Sequence, residues 1–216
     1  MGTPKKLMLH ACCGPCSLEP VRMFTEENLN FCIDFANSNI APKKEYEHRL
    51  KTLQEYVIEP AHLELFIENY DNDEWEEKIA CFGSDKPKRC RACYALRFEQ
   101  AAKRAKEQGC DALCTTLSIS PYQYISVIKE ELEKCAERHG LTCYFIDFSK
   151  YYSQATKRSR ELRMYRQNYC GCRFSAKEAE LERQQRKEQR KKEQEEKHLA
   201  MMFAAAAGIV SQDNLL

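Results

Sequence analysis

The order of apolar and polar positions predicts alternating strands and helices over most of the 216-residue chain. Short apolar runs bounded by turn residues indicate buried strands, and apolar residues spaced three or four apart indicate helices with one buried face. Strands that alternate with helices favour a mostly parallel sheet with helices on both faces, which is an α/β fold. The five strands are predicted at 6–11, 30–35, 63–67, 111–117 and 141–148.

The connecting helices follow from their start and stop signals. Ser17 is a candidate cap for the helix after the first strand. Pro42 and Pro121 each stand where a proline opens a helix. Gly109 and Gly140 stand where a glycine ends one. These helices are predicted at 17–27, 42–56, 73–80, 91–108 and 121–139.

Composition changes towards the end of the chain. From Ala176 to Lys197 nearly every residue is Glu, Gln, Lys or Arg, with balanced sign, which favours a solvated helix over a core element. The segment with four alanines at 204–207 is of low complexity, and we expect it to be frayed or ordered only on contact. The sequence therefore predicts an α/β domain at 1–175 and a charged helical tail at 176–216.

Bulk composition excludes some classes of protein. The chain is 43% hydrophobic and 31% charged, with a net charge of +1, so no global basic field indicates nucleic acid. No apolar run is long enough to span a bilayer, and the N-terminus lacks a secretory pattern. We therefore expect a cytoplasmic protein, in which clustered cysteines indicate metal or redox chemistry rather than a disulfide framework.

Seven of the thirteen cysteines fall into three groups with ligand-like spacing. The first group follows the first strand, in Cys12-Cys13-Gly14-Pro15-Cys16. The second group is Cys90-Arg91-Ala92-Cys93, and the third is Cys170-Gly171-Cys172. Thiolates grouped in this way bind soft metal ions or exchange electrons. The remaining cysteines have mostly apolar neighbours, and burial is the default expectation for them.

Three kinds of site fit these groups. A C-x-x-C motif at a strand–helix junction is the thioredoxin arrangement, but a dithiol exchanger has no use for the adjacent Cys12 or for a second such motif. A structural zinc site suits two C-x-x-C pairs, although zinc ribbons keep their pairs within about 12 to 20 residues. An iron–sulfur cluster fits better, because its four thiolates can converge from separate backbone segments. A thioredoxin-like dithiol oxidoreductase and a zinc-stapled nucleic-acid-binding module remain as alternatives.

The third group differs from the other two. Two sulfurs separated by one residue suit a strained disulfide better than two ligands of one metal ion. Strained, exposed disulfides are the labile ones. The spacing of Cys170 and Cys172 therefore predicts a redox couple that opens and closes.

Short motifs accompany the cysteine groups from residue 7 to about residue 175. They are His10-Ala11-Cys12-Cys13-Gly14-Pro15-Cys16, Asn37-Ser38-Asn39-Ile40, Glu45-Tyr46-x-x-Arg49, Cys90-x-x-Cys93-Tyr94-x-x-Arg97, Ser120-Pro121-Tyr122-Gln123 and Tyr165-Arg166-Gln167-x-Tyr169-Cys170-Gly171-Cys172-x-Phe174-Ser175. Each motif alone is weak. In this order the chain resembles the cobalamin-independent epoxyqueuosine reductase family (QueH).

The resemblance implies a fold, a reaction and a cofactor. Members of that family reduce the epoxide of epoxyqueuosine to the cyclopentene of queuosine at the wobble position of tRNA. Their fold is similar to the nucleotide-binding domains of ATP pyrophosphatases, and they carry a [4Fe-4S] cluster with an additional mononuclear iron nearby. Residues 1–175 would then form a catalytic iron–sulfur domain.

The resemblance also implies roles for individual cysteines. Cys16 stands at a position that varies between Cys and Asp in the family, so it is a candidate extra ligand. The closely spaced third group is taken as redox-active. The implied residues are Cys12, Cys13, Cys90 and Cys93 for the cluster, and Cys170 and Cys172 for the redox pair.

Removal of an epoxide oxygen as water takes two electrons and two protons. His10, Tyr94 and Tyr122 are candidate proton donors, although His10 ends a buried strand, where a satisfied core histidine is the default. The cations between Lys157 and Arg173 acquire a partner in the phosphates of the anticodon arm. The sequence does not identify the electron donor. The candidate tRNA-binding residues are Arg158, Arg163, Arg166 and Tyr122.

A Gly-rich phosphate loop is absent after the first strand. Enzymes of similar fold that adenylate tRNA need such a loop, and here Cys12 to Ser17 occupies its place. We therefore expect no ATP hydrolysis.

Overall fold

The computed structural model describes residues 2–206, and these contain the five-stranded α/β sheet that the sequence predicts. The strands are Leu7–His10 (β1), Phe31–Phe35 (β2), Leu65–Ile67 (β3), Ala112–Thr115 (β4) and Thr142–Cys143 (β5). Every strand pair is parallel, and the order is β3-β2-β1-β4-β5. This is the strand order of doubly wound nucleotide-binding domains.

The register makes the carboxyl ends of the three central strands level. His10, the last residue of β1, pairs with Asp34 on one side and with Thr115 on the other. The chain order reverses between β1 and β4, and doubly wound sheets bind ligands in the crevice at such a point. The loops that follow β1, β2 and β4 therefore meet at this edge.

Helices cover both faces of the sheet, as predicted. They are Gly14–Glu26 (α1), Lys43–Leu53 (α2), a π-helical stretch at Gln54–Ile58, Glu59–Ala61 (α3), Asn72–Ile79 (α4), Lys86–Glu107 (α5), Ile125–Arg138 (α6), Tyr152–Glu161 (α7) and Arg173–Ala206 (α8). Phe24 of α1, Leu53 of α2 and Ala155 of α7 lie in the core on one face. Phe98 of α5 and Leu132 of α6 lie in the core on the opposite face.

α1 begins three residues earlier than predicted, at Gly14. Pro15 occupies its first turn, where a fixed φ suits a helix and a missing N–H costs nothing. The prediction that Ser17 caps the helix is wrong, because Ser17 lies inside the first turn. Its hydroxyl donates a hydrogen bond to the carbonyl of Cys13 at 2.8 Å.

α5 also begins earlier than predicted, at Lys86 instead of Arg91. Its cap is Asp85, whose side chain accepts a hydrogen bond from the backbone N–H of Lys88 at 3.2 Å. Both cysteines of the second group therefore lie within the first turns of α5, with their backbones fixed by the helix.

Two other elements are shorter than predicted. α6 begins at Ile125, because residues after Pro121 first form a turn in which the N–H of Gln123 donates to the carbonyl of Ser120. β5 pairs over only two residues, at the edge of the sheet. After β5, the chain is held to the segment that follows β4 by the Ser118 hydroxyl, which donates a hydrogen bond to the carbonyl of Ile146 at 2.7 Å.

Helix α7 was not predicted from the sequence. Its buried residues are Ala155 and Ser159, whose small side chains leave almost no apolar periodicity to detect. The other residues of α7 are largely polar, so the sequence pattern alone does not place a helix there.

By its internal contacts the chain divides into two compact units, and the boundary lies between Arg173 and Phe174. The second unit contains most of α8, whose residues are largely exposed Glu, Gln, Lys and Arg. Part of the low-complexity segment predicted to be frayed lies beyond residue 206, outside the described residues. Among residues 2–206, no helix combines the length and apolar character needed to cross a membrane.

Candidate metal and redox centre

The first cysteine group forms a compact set of three thiols after β1. The sulfurs of Cys12, Cys13 and Cys16 all lie within 4.8 Å of one another. The backbone N–H of Cys12 donates to the hydroxyl oxygen of Thr116, and the Thr116 hydroxyl donates to the Cys12 sulfur at 3.2 Å. This contact joins the loop after β1 to the segment after β4, across the point where the strand order reverses.

The three thiols influence one another's pKa values through hydrogen bonds. Burial alone would raise the pKa of Cys13, but hydrogen bonds from Cys12, Cys16 and Gln167 lower it well below its usual value. The hydrogen bonds to Cys12 and Cys13 raise the pKa of Cys16 well above its usual value. The hydrogen bonds within the set therefore favour negative charge on Cys13 over Cys16, and soft metal ions bind thiolates.

The second cysteine group is buried against α4. The indole Nε1–H of Trp75 donates to the sulfur of Cys93 at 3.3 Å, and Cys93 is 7% exposed. Burial raises the pKa of Cys93 to about 11. Burial, and then the thiol of Cys170, raises the pKa of Cys90 to about 12. These thiols stay protonated at neutral pH unless a cation, such as a metal ion, compensates their charge.

The third cysteine group is held in place by Arg49. Its guanidinium donates to the carbonyl of Cys170 at 2.7 Å and to that of Tyr169 at 3.3 Å. Glu45 fixes the guanidinium from the other side, with a 2.7 Å ion pair to Nε. The carbonyl of Gly171 accepts a hydrogen bond from the N–H of Ala41. Glu45 and Arg49, the two ends of the Glu45-Tyr46-x-x-Arg49 motif, therefore form the seat of the third cysteine group.

Gly171 is required by two independent constraints. Its φ is +146°, a region that side chains disfavour. A Cβ atom at this position would come within 2.8 Å of Asn39 Nδ2 and 2.9 Å of Ile40 Cγ1. The Cys170-Gly171-Cys172 segment can approach the loop after β2 this closely only because its middle residue has no side chain.

The other motifs also bind one another. The Asn37 amide donates to the carbonyl of Ala11, which ties the loop after β2 to the loop after β1. Arg97 donates to the side chain of Asn37 and to the carbonyl of Ala36. The Tyr94 hydroxyl donates to Oε1 of Gln123 at 2.7 Å. Motifs that are distant in the sequence thus form one hydrogen-bonded layer at the edge of the sheet.

The implied cluster ligands do not form one compact set among the described residues. Cys12 and Cys13 belong to the 4.8 Å set, whereas Cys90 and Cys93 lie outside it. A cluster of four irons takes one thiolate per iron, so its ligands are spread more widely than those of a single ion. The thiols of Cys90 and Cys170 affect each other electrostatically, which indicates that the third group lies near the second.

The candidate proton donors lie in different environments. His10 is fully buried, with Nδ1 2.9 Å from the Thr115 hydroxyl and Nε2 3.1 Å from the carbonyl of Ala36. Burial lowers its pKa to about 3, so it is a neutral core histidine. Tyr94 is 1% exposed, whereas Tyr122 is 63% exposed and packs edge-on against Tyr152.

The candidate tRNA-binding arginines lie on α7 and in the segment that follows it. Arg158 has a carboxylate neighbour, Glu19, at 3.7 Å. Arg163 and Arg166 are exposed, and within residues 2–206 neither has a carboxylate within 4.0 Å. Arg166 is close enough to Tyr152 to affect its pKa. Arg166 therefore lies near Tyr152, against which the exposed ring of Tyr122 packs.

A second set of metal-ligating groups lies between α5 and α6. Glu99, Cys135 and His139 have their donor atoms within 4.8 Å of one another. The Glu99 carboxylate is already engaged, by His139 at 2.8 Å and by Arg138 at 3.2 Å. This set is complete as an ion-pair cluster between the two helices.

Three functional contacts were not predicted from the sequence. Trp75, Thr116 and Gln167 each donate a hydrogen bond to a cysteine sulfur. Trp75 is the only tryptophan of the chain, and Gln167 stands within the last of the motifs. Neither of these sequence features indicates which cysteine the side chain contacts, because the contacting residues are far apart in the sequence.

Comparison with known proteins identifies relatives over most of the chain. A family model described as "Epoxyqueuosine reductase QueH" matches residues 7–178, which include all three cysteine groups. A protein of that name from Thermotoga maritima is 31% identical over 197 residues, which cover 86% of this chain and 98% of the relative. Those from Histophilus somni and Dehalococcoides mccartyi are 31% and 30% identical, over 83% and 80% of this chain and 75% and 93% of their own lengths.

We expect Gly171→Ala to release the third cysteine group from its seat, because the new Cβ collides with Asn39 and Ile40. Alkylation of Cys170 by iodoacetamide in the metal-free protein, followed by peptide mass spectrometry, should become at least about tenfold faster when the seat opens. Gly140→Ala is the matched control, since Gly140 also has positive φ but no atom within 4 Å of the added Cβ. Equal rates in both variants would contradict the role of Gly171 as a contact point.

Proposed function

The chain belongs to the epoxyqueuosine reductase QueH family, and from this membership we propose that it reduces epoxyqueuosine to queuosine in tRNA. The reaction takes the epoxide of the modified base to a cyclopentene and releases the oxygen as water. One observation carries the proposal: three cysteine groups and the residues that seat them share one edge of the sheet, where doubly wound folds bind ligands.

The donor set fits a [4Fe-4S] cluster. Buried thiols of high pKa ionise only beside a compensating cation, such as a metal ion. Trp75 and Thr116 donate hydrogen bonds to cysteine sulfurs, and hydrogen bonds of this kind tune such clusters. We assign the cluster to Cys12, Cys13, Cys90 and Cys93, with Cys16 as an extra ligand for an additional iron. When bound, the cluster supplies one-electron transfers.

Cys170 and Cys172 account for the overall electron count. Oxidation of two thiols to one disulfide releases two electrons and two protons, and reduction of an epoxide to an alkene and water consumes the same number. The seat formed by Arg49 keeps this pair beside the second cysteine group. An external reductant must then reopen the disulfide before the next turnover.

The exposed residues beside the site suit the anticodon arm of tRNA. Arg163 and Arg166, which have no carboxylate partner among the described residues, offer positive charge to phosphates, and Arg158 extends the same surface. Tyr122 presents a largely exposed ring that can stack on an unpaired base. The substrate nucleotide lies in a single-stranded loop, which is the form of RNA that such residues recognise.

The reaction itself is tested by anaerobic reconstitution with iron and sulfide, followed by incubation with tRNA that carries epoxyqueuosine and a strong reductant. We expect a brown protein, and nucleoside mass spectrometry should show the loss of one oxygen from the modified base. Cys93→Ala should lose most of the cluster iron and the activity, whereas the exposed Cys81→Ala should keep both. A colourless protein would favour the dithiol or zinc alternatives, and a loaded cluster without oxygen loss would refute the substrate.

We expect Cys172→Ser to keep its cluster but to lose multiple turnover, because a single thiol cannot close a disulfide and so cannot supply the two electrons of each cycle. Product formed per enzyme in a burst assay, with enzyme in excess and then with tRNA in excess, measures this difference. Cys81→Ser serves as the control for loss of a thiol elsewhere. Multiple turnover by Cys172→Ser would remove the pair from the mechanism.

We expect the double variant Arg163→Gln, Arg166→Gln to bind tRNA more weakly and with less dependence on salt. Each lost contact to a single-stranded phosphate lowers the slope of log affinity against log salt by about 0.7, so the pair should lower it by about 1.4. The measurement is tRNA binding by fluorescence anisotropy across a salt series. Lys129→Gln, Lys134→Gln on α6 removes the same charge from the opposite face of the sheet, and an equal change there would refute the α7 surface.

A further inference from the structure

Arg97 is a buried cation without a carboxylate partner. Its side chain is 1% exposed, and its donors bind neutral oxygens, the carbonyl of Ala36 at 3.1 Å and the side chain of Asn37. Within residues 2–206, no carboxylate lies within 4.0 Å of it. A guanidinium does not deprotonate in a protein, and an uncompensated buried charge costs several kcal/mol. Negative charge must therefore come from another group.

The carboxyl group that Arg97 influences does not supply this charge. Asp34 is fully buried, and neither of its oxygens has a hydrogen-bond partner. Burial, and then the neighbouring Glu68, raises the pKa of Asp34 well above its usual value. Glu68 itself is paired with Arg104 at 2.6 Å. Burial thus disfavours the charged form of Asp34, which makes it a poor counter-charge for Arg97.

The groups that can balance Arg97 are cysteines. Arg97 follows Cys93 by four residues on α5 and Cys90 by seven, so all three lie on one face of the helix. Burial raises the pKa of Cys93, and the Arg97 guanidinium is the strongest influence opposing that rise. Burial and then Cys172 raise the pKa of Cys170, and Arg97 opposes this rise as well. Arg97 therefore shares one face of α5 with Cys93, and its charge also influences Cys170 in a separate segment of the chain.

We propose that Arg97 is the counter-charge of the cysteine centre and that it holds the reduction potential of the bound cluster at a less negative value. The inference rests on the proposed iron–sulfur cluster. A cluster with four thiolates is anionic, and each added electron increases its negative charge. A fixed cation in a low-dielectric site stabilises the more negative, reduced form. Arg97 acts here as a positioning residue, through charge and not through contact with substrate.

The test is a spectroelectrochemical titration of the reconstituted protein, which reports the midpoint potential without any turnover. We expect Arg97→Gln to shift the midpoint to a more negative potential and Arg97→Lys to keep it close to that of the wild type. Arg97→Met is a second charge-free variant, in case the glutamine variant does not fold, because an apolar chain needs no buried partners. Arg104→Gln, on the same helix, is the matched control and should leave the midpoint unchanged.

Two further variants separate charge from packing. Asn37→Ala removes an anchor of the guanidinium but keeps the charge, and Asp34→Asn replaces a carboxyl group whose charged form is disfavoured by burial, so both should keep the wild-type midpoint. The inference is overturned if the lysine variant shifts as far as the glutamine variant, or if Asp34→Asn shifts the midpoint to a less negative potential. A wild-type protein that binds no cluster overturns the proposed function as well. A cluster-loaded protein whose midpoint potential does not depend on residue 97 overturns this inference alone.

Discussion

The parallel register of β1 between β2 and β4 is the constraint on which the rest of the site depends. Because His10 pairs with both Asp34 and Thr115, three loops leave the sheet at the same level. Their backbone groups can then satisfy one another: the Asn37 amide binds the carbonyl of Ala11, and Thr116 binds Cys12. A shift of one residue in any of these strands would exchange its side chains between the two buried faces of the sheet and separate the loops.

The residues that carry the chemistry and the residues that hold it in place are different sets. Cysteines are the only side chains that the proposed cofactor needs as ligands. Around them, Arg49 and Arg97 bind backbone carbonyls of the loops, and Trp75 donates to a sulfur. To make these contacts, the guanidinium groups of Arg49 and Arg97 are buried, and the burial of a charge costs free energy. That cost is tolerable where several thiols can become thiolates, since opposite charges then stabilise each other.

The parts of the fold that the sequence predicts are those encoded locally. Most of the strands are short, largely apolar runs, and the cysteine groups are visible from their spacing alone. Helix α7 is not visible, because its buried side chains are the small ones of Ala155 and Ser159. The early start of α5 depends on a single side chain, Asp85, that was not recognised as a cap. The seat of the third cysteine group is also beyond a local reading, since Arg49 and Cys170 meet only after the chain has folded.

The seat of the third cysteine group also determines when the site closes during synthesis. Gln167, which binds the sulfur of Cys13, and Gly171, which packs on Asn39 and Ile40, belong to the last part of the first unit to leave the ribosome. The sheet and the first two cysteine groups are complete in sequence well before then, and domains tend to fold from the N-terminus as they emerge. A nascent chain therefore presents an open, thiol-rich edge to its surroundings. That interval is when the thiols are most accessible, both to a metal ion and to oxidants.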